Sequence, residues 1–116
     1  MLHFETQEFD SPDLPNSGIN MDNAFLQMLN DARGIAGIPF NITSGYRTKA
    51  RNELVGGVPN SSHLIGKAAD ISVQSGNERY IILNALIKAG FSRLGVAKTF
   101  IHCDNDESKP NSVWTY

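Results

Sequence analysis

Two histidines and one aspartate are the residues of this sequence whose types and spacing could do chemistry. His63 and Asp70 lie seven positions apart within Ser61–Asp70, and His102 follows in the apolar run Phe100–Asp104. The chain has three histidines, and two of them fall in these segments. Two imidazoles and one carboxylate, with a fourth position left open, are a ligand set of a catalytic Zn²⁺ ion. The hypothesis for the rest of the sequence is therefore a small zinc hydrolase.

The short connection between His63 and Asp70 favours their convergence on one point. Any single histidine is more often a structural residue than a ligand. Here, however, His63 leaves a Gly/Ser-rich loop, and Gly66, Ala68 and Ala69 keep the connection small. We therefore predict that the chain folds back between the two residues and brings their side chains together.

His102 lies at the centre of a predicted strand, in which side chains point alternately to the two faces. His102 and Asp104 share one face, and Ile101 and Cys103 share the other. Polar groups in a buried strand need partners, because an unpaired buried polar group is costly. A zinc ion bound jointly by His63, Asp70 and His102 would be such a partner. Cys103 is interpreted as a small core residue rather than a ligand.

Three helices are predicted around these segments. An apolar stripe predicts the first helix over 21–34. A short second helix is predicted over 48–55, with its first residue as the cap. Ser75 and Glu78 have the spacing of a capping box and precede an apolar run, which predicts the third helix.

Segments rich in strand-forming residues alternate with the helices. The N-terminal arm 1–20 is rich in turn formers and is expected to be irregular, with Phe4 and Phe9 holding it to the body. This order predicts an α+β fold: one small domain over 1–116, with helices packed on one face of a mostly antiparallel sheet. The predicted strands cover 39–44, 68–73, 93–96 and 99–104, the last two as a hairpin, and an edge strand over 112–116.

The composition excludes several classes of protein. The 116 residues are 41% hydrophobic and 19% charged, as in an ordinary globular domain. A net charge of -2 provides no electrostatic argument for binding nucleic acid or an anionic membrane. One cysteine rules out an internal disulfide framework. No apolar run is long enough to cross a bilayer, and the N-terminus lacks the features of a secretory signal.

Together, the motifs resemble the M15 metallopeptidase family, the D-alanyl-D-alanine carboxypeptidases and endopeptidases that cut peptidoglycan peptides. The order and spacing of the motifs match over 43–104, and both ends of the chain also resemble short phage-type members. The segments that carry the resemblance are Ser44-Gly45-Tyr46-Arg47-Thr48, Val55-Gly56-Gly57, Ser61-Ser62-His63-Leu64-Ile65-Gly66-Lys67-Ala68-Ala69-Asp70 and Ile101-His102-Cys103-Asp104.

The resemblance implies a fold, a cofactor and roles for several residues. The fold is the small α+β type shared by hedgehog domains and D-Ala-D-Ala peptidases, with one zinc ion per chain bound by His63, Asp70 and His102. Arg47 would lie beside the metal and act in catalysis and substrate binding, a role that suits a fixed guanidinium. Ser61 would also bind substrate. A surface salt bridge is the alternative interpretation of Arg47.

One departure from the family concerns the general base. Many relatives carry a catalytic carboxylate three residues before the last histidine, where this chain has Thr99. Others carry a histidine two residues before it, where this chain has Phe100. Asp104 is the best candidate for the base, because it shares a strand face with His102. Its alternative role is to orient His102 as a hydrogen-bond partner.

The predicted function is zinc-dependent hydrolysis of peptide bonds in peptidoglycan stem peptides or cross-links, by carboxypeptidase or endopeptidase cleavage. The alternatives are a non-catalytic, zinc-stabilised module that binds cell-wall peptide, and a virion protein whose metal only stabilises the fold. The absence of a carboxylate at Thr99 is the feature that keeps the first alternative open beside the peptidase. We expect a monomer that binds peptidoglycan peptide and no nucleic acid. It would be made in the cytoplasm without a signal peptide and act on the cell wall after lysis or delivery by a phage.

Overall fold

The computed structural model describes residues 3–116, so the first two residues of the predicted arm lie outside the described residues. Within this range, three α-helices pack against a five-stranded, mostly antiparallel sheet, and the predicted α+β class is confirmed. The helices are α1 (Asn23–Ala36), α2 (Lys49–Leu54) and α3 (Gly76–Lys88). The strands are β1 (Ile42–Ser44), β2 (Ala68–Ser72), β3 (Arg93–Val96), β4 (Phe100–Asp104) and β5 (Ser112–Thr115).

The strands lie in the order β1-β2-β4-β3-β5. The first four are joined by antiparallel pairings, and β3 and β4 form the predicted hairpin. The predicted edge strand is also present, but β5 runs parallel to β3. The connection over residues 105–111 crosses the start of β3, because Arg93 pairs both with the last residue of β4 and with the first residue of β5. None of the helices in the described residues is long and apolar enough to span a membrane.

Each helix begins at a side-chain cap that satisfies one of its free backbone N–H groups. Asp22 accepts from the backbone of Phe25, the Thr48 hydroxyl caps α2, and the Ser75 hydroxyl accepts from the backbone of Glu78. The first helix starts two residues later than predicted, because Asp22 is its cap. It also ends two residues later, at Ala36, before the left-handed Gly37.

The two faces of the sheet have different functions. On one face, Ile71, Leu94, Ile101 and Cys103 are fully buried against the apolar sides of α1 and α3, as part of the main core. Burial raises the pKa of the Cys103 thiol, which keeps it protonated. The residues that alternate with these in the strands lie on the other face. The fold thus separates a packed face from a chemical face within one sheet.

The N-terminal arm is more regular than expected. It contains two 3₁₀ turns, Thr6–Phe9 and Ser17–Asn20. Phe4 and Phe9 are buried with their rings 5.4 Å apart, as the predicted anchoring requires. The carbonyl of Phe9 also accepts a hydrogen bond of 2.9 Å from the backbone N–H of Tyr46. The arm therefore supports the segment that carries Arg47.

Candidate metal centre

One row of paired residues crosses the whole sheet and forms the floor of the site. Asp70 on β2 pairs with Ser44 on β1 and with His102 on β4. His102 pairs in turn with Gly95 on β3, and Gly95 pairs with Trp114 on β5. Directly paired residues point to the same face of a sheet. Strand register alone therefore brings Asp70 and His102 together, although 32 positions separate them.

The three predicted ligands meet at one point. His63 Nε2 lies 3.3 Å and His102 Nδ1 lies 2.9 Å from the same oxygen, Oδ1 of Asp70. All three ligand atoms lie within 4.8 Å of one another, and the three residues are buried. Zn–N and Zn–O bonds of about 2.0–2.2 Å put tetrahedral ligand atoms about 3.3–3.6 Å apart. The spacing of these atoms fits one such ion after small adjustments.

His63 is oriented by the backbone around it. It lies in the 3₁₀ turn Ser62–Ile65, where the predicted pattern had only a loop, and its own N–H bonds to the Ser61 hydroxyl at 3.3 Å. Nδ1–H of His63 donates to the carbonyl of Gly45 at 2.7 Å, so Nε2 faces Asp70. Gly66 ends the turn with φ of 70°, and a Cβ there would lie 2.3 Å from the Asn20 carbonyl.

His102 is oriented by Asp104. Nε2–H of His102 donates to Oδ2 of Asp104 at 2.7 Å, which turns Nδ1 towards Asp70. Oδ1 of Asp104 accepts from Arg93 Nε at 2.7 Å and from the backbone N–H of Asp106 at 3.1 Å. Both carboxylate oxygens of Asp104 are therefore engaged within the protein, and the residue is only 1% exposed.

The charges of the site hold its histidines against Asp70. Burial would raise the pKa of Asp70, but hydrogen bonds from His102 and His63 lower it well below its ordinary value. Burial lowers the pKa of His102, whereas hydrogen bonds to Asp104 and Asp70 raise it, and the net pKa lies above its ordinary value. Without a metal, a proton shared by His102 Nδ1 and Asp70 is therefore stabilised. A metal ion bound at these atoms has to displace that proton.

Arg47 lies beside the ligand group, where the resemblance implied it. Its Nη2 is 3.4 Å from Oδ2 of Asp70, its Nε donates to Ser44 Oγ at 3.0 Å, and its Nη1 donates to Asn52 Oδ1 at 3.2 Å. Three fixed contacts hold the guanidinium in one plane. This arrangement can present positive charge to a carboxylate or a developing oxyanion next to the metal ligands.

The ligand group lies in an open cleft of about 450 Å³. Ser61 lines this cleft, as does Phe100, whereas Thr99 is exposed and is not part of the lining. The other lining residues include Arg47, Val55, Val58, Arg93, Lys109, Trp114 and Tyr116. The structure thus brings the predicted site residues together on one surface that a ligand can reach.

Several residues around the site were not found by the sequence patterns. Asp106 belongs to none of the motifs, yet it is buried and accepts a 2.7 Å hydrogen bond from the Ser62 hydroxyl. Burial raises its pKa, but hydrogen bonds from Ser108 and Ser62 bring the pKa well below its ordinary value. Lys109 donates to Ser62 Oγ at 2.9 Å and to the Asn60 carbonyl at 2.6 Å. These contacts link the chain after β4 to the turn of His63, a pairing that no local pattern signals.

Comparison with known proteins identifies a family. A sequence model described as Peptidase M15 matches residues 3–104. The matched segment contains all three candidate metal ligands, Arg47 and Asp104, and it ends at the last residue of β4. No curated protein matches the chain.

The ligand assignment predicts the metal content of two variants. We expect the purified chain to hold one zinc ion, and His63→Ala to lose stoichiometric zinc, because one of three ligands is removed. His3→Ala removes the exposed third histidine and should keep the full equivalent. Metal analysis after gel filtration measures both. One equivalent of zinc in His63→Ala would exclude His63 as a ligand.

Proposed function

The chain belongs to the peptidase M15 family, and on this basis we propose that it is a zinc-dependent peptidase of peptidoglycan stem peptides or cross-links. The observation that carries the proposal is the ligand group of His63, Asp70 and His102, whose atoms lie within 4.8 Å of one another in an open cleft. Three protein ligands leave a fourth position for water or substrate, as in catalytic rather than structural zinc sites.

In the proposed reaction, each polar residue of the cleft has a distinct task. Zinc bound at the three ligands would lower the pKa of a water molecule and polarise the scissile carbonyl. Arg47 would bind a substrate carboxylate or the oxygen on which negative charge develops, since its guanidinium is held in place by Ser44 and Asn52. Ser61 lines the same cleft and would contact the substrate.

For Asp104 we propose the orienting role, the second of the two that its position in the sequence allows. Its Oδ2 accepts from His102, and its Oδ1 accepts from Arg93 and from the backbone of Asp106. A general base needs an oxygen within hydrogen-bond reach of the attacking water. Both oxygens of Asp104 already have partners, which supports orientation of His102 as its function.

The carboxylates of the cleft also support a rival proposal. Among the described residues that line the cleft, the carboxylates are Asp70 and Asp104, and each has both oxygens in contact with other protein groups. A non-catalytic module that binds cell-wall peptide through the same zinc would need no base. The two proposals differ in one observable, which is turnover.

Mass spectrometry of defined muropeptides tests the proposed function directly. We expect the zinc-loaded chain to cleave a stem peptide or cross-link, and we expect a chelator to abolish cleavage until zinc is restored. The masses of the products identify the bond and so distinguish carboxypeptidase from endopeptidase activity. Binding of intact muropeptide without any cleavage would favour the non-catalytic module.

Arg47→Lys tests whether the fixed guanidinium matters for turnover. Lysine keeps the charge but cannot make the planar, multiple contacts of Arg47. We expect turnover to fall about 10²-fold, as for loss of a group that stabilises an oxyanion, with zinc content unchanged. Arg79→Lys, on α3 and outside the cleft lining, is the matched control and should behave as wild type. Wild-type turnover in Arg47→Lys would show that Arg47 has only a structural role.

Asp104→Asn separates the two roles of Asp104. If Asp104 orients His102, the variant should bind zinc about 10–100-fold more weakly and recover most of its turnover when zinc is saturating. Competition with a chromogenic chelator gives the zinc affinity, and the muropeptide assay gives the turnover. Asp31→Asn changes an exposed aspartate in the same way and is the control. Unchanged zinc affinity with turnover lowered about 10²–10⁴-fold would instead identify Asp104 as the base.

A further inference from the structure

The backbone on both sides of Arg47 is hydrogen-bonded to the N-terminal arm. The N–H of Tyr46 donates to the Phe9 carbonyl at 2.9 Å, and the N–H of Thr48 donates to the Ser11 hydroxyl at 3.3 Å. The arm therefore holds the chain both before and after the residue that carries the guanidinium. Neither Phe9 nor Ser11 lines the cleft, so both act on the site from outside it.

Asp13 connects the arm to the helix that follows Arg47. One of its carboxylate oxygens accepts from the Ser11 hydroxyl and the other accepts from the Thr48 hydroxyl, each at 2.5 Å. The same Thr48 oxygen accepts from the backbone N–H of Arg51 and so caps α2. The hydrogen bonds from the two hydroxyls lower the pKa of Asp13 below its ordinary value, which keeps the carboxylate ionised and able to accept from both.

Asp13 lies on a short turn that proline makes rigid. The turn Ser11–Leu14 is closed by a hydrogen bond of 3.0 Å between its first carbonyl and its last N–H. Pro12 occupies the second position, where its fixed φ favours turn formation. Ser11 is only 1% exposed, and its N–H donates to the Ser17 hydroxyl at 2.7 Å. The carboxylate is thus carried by a segment that is itself fixed to the rest of the domain.

The helix α2 extends this restraint to the guanidinium of Arg47. Asn52 lies on α2 and is only 2% exposed, and its Oδ1 accepts from Arg47 Nη1 at 3.2 Å. The backbone N–H of Asn52 donates to the Thr48 carbonyl at 2.9 Å, in the first turn of the helix that Thr48 caps. Asp13 therefore holds Arg47 in two ways, through the backbone next to it and through the helix that places Asn52.

We propose that Asp13, acting with Ser11, is a positioning residue for Arg47, and that the N-terminal arm thereby affects turnover without contacting substrate or metal. The proposal rests on the proposed function and assigns a role in it to a segment outside the cleft. A group that stabilises developing charge has to be held in its productive position, because a displacement of about 1 Å can cost about 10²-fold in rate. The ligand histidines are oriented by other groups, the Gly45 carbonyl and Asp104, so loss of the Asp13 contacts should not affect zinc binding.

Asp13→Asn tests the proposal by turnover of the muropeptide that wild type cleaves. The amide keeps the size of the side chain but has one oxygen, so it cannot accept from both hydroxyls. We expect kcat/KM to fall about tenfold with zinc content unchanged, and the loss to appear in the same parameter, kcat or KM, that Arg47→Lys changes. In the Arg47→Lys background, Asp13→Asn should cost less than about twofold, because the positioned group is already lost. Asp31→Asn alters an exposed aspartate on α1 and is the control.

Hydrogen exchange provides a second readout that needs no turnover. The backbone N–H groups of Tyr46, Arg47 and Thr48 should exchange about tenfold faster in Asp13→Asn, because loss of hydrogen bonds to a charged group opens this segment locally. Ser11→Ala, which removes the acceptor of the Thr48 N–H, should have the same effect. The N–H groups of β2 and β4 that pair in the sheet should keep their wild-type rates. Equal acceleration in the sheet and in the segment would indicate general destabilisation and would overturn the positioning role.

The two readouts separate the positioning role from the proposed function. Equal losses of kcat/KM in the wild-type and Arg47→Lys backgrounds would show that Asp13 acts elsewhere, while the peptidase activity would stand. Wild-type kcat/KM in Asp13→Asn would also overturn the positioning role. If wild type cleaves no muropeptide, the proposed function fails, and hydrogen exchange decides the question. Faster exchange confined to residues 46–48 would then support positioning of Arg47 by the arm, and wild-type rates in both variants would overturn it.

Discussion

The carboxylate of Asp70 is the group on which the candidate site depends. One of its oxygens faces both histidines, at 2.9 and 3.3 Å, and the other faces Arg47 at 3.4 Å. These partners come from β4, the turn after α2 and the segment after β1, so one buried charge holds three parts of the chain together. A buried carboxylate without such partners would be costly. The same geometry concentrates ligand atoms around one point, which is why a structural contact and a metal site coincide here.

A second set of contacts limits how these partners can move. The Gly45 carbonyl orients His63, and Asp104, itself held by Arg93, orients His102. Farther out, the contacts of Ser62 with Asp106 and Lys109 hold the turn of His63 against the chain that follows β4. Outer contacts of this kind determine which ring nitrogen faces the metal and raise the basicity of the ligand. In this small domain, strand pairing places Asp70 and His102 side by side in the sheet, and these contacts orient the rings of the two histidines.

The sheet allows core and site to share the same strands. Because side chains alternate along β4, Ile101 and Cys103 point into the core and His102 and Asp104 point into the cleft. The same strand therefore contributes to both the core and the site. The packed face, covered by α1 and α3, provides stability without interfering with the chemical face. Addition of β5 beside β3 then extends the chemical face by an aromatic surface. Gly95 is the residue that permits this extension, because a side chain there would occupy the space of the indole of Trp114.

The sequence by itself determined the local parts of this protein. The capped helices, the β3–β4 hairpin, the alternation along β4 and the grouping of His63, Asp70 and His102 were all predictable, because each depends on residues that are close in sequence or on a motif shared by a family. Only the tertiary structure decided the rest. The partners of Asp104, the burial of Asp106, the parallel direction of β5 and the position of Trp114 over Gly95 depend on contacts between distant segments. Such contacts follow from strand register and loop closure, and neither residue of a pair carries a local signal of its partner.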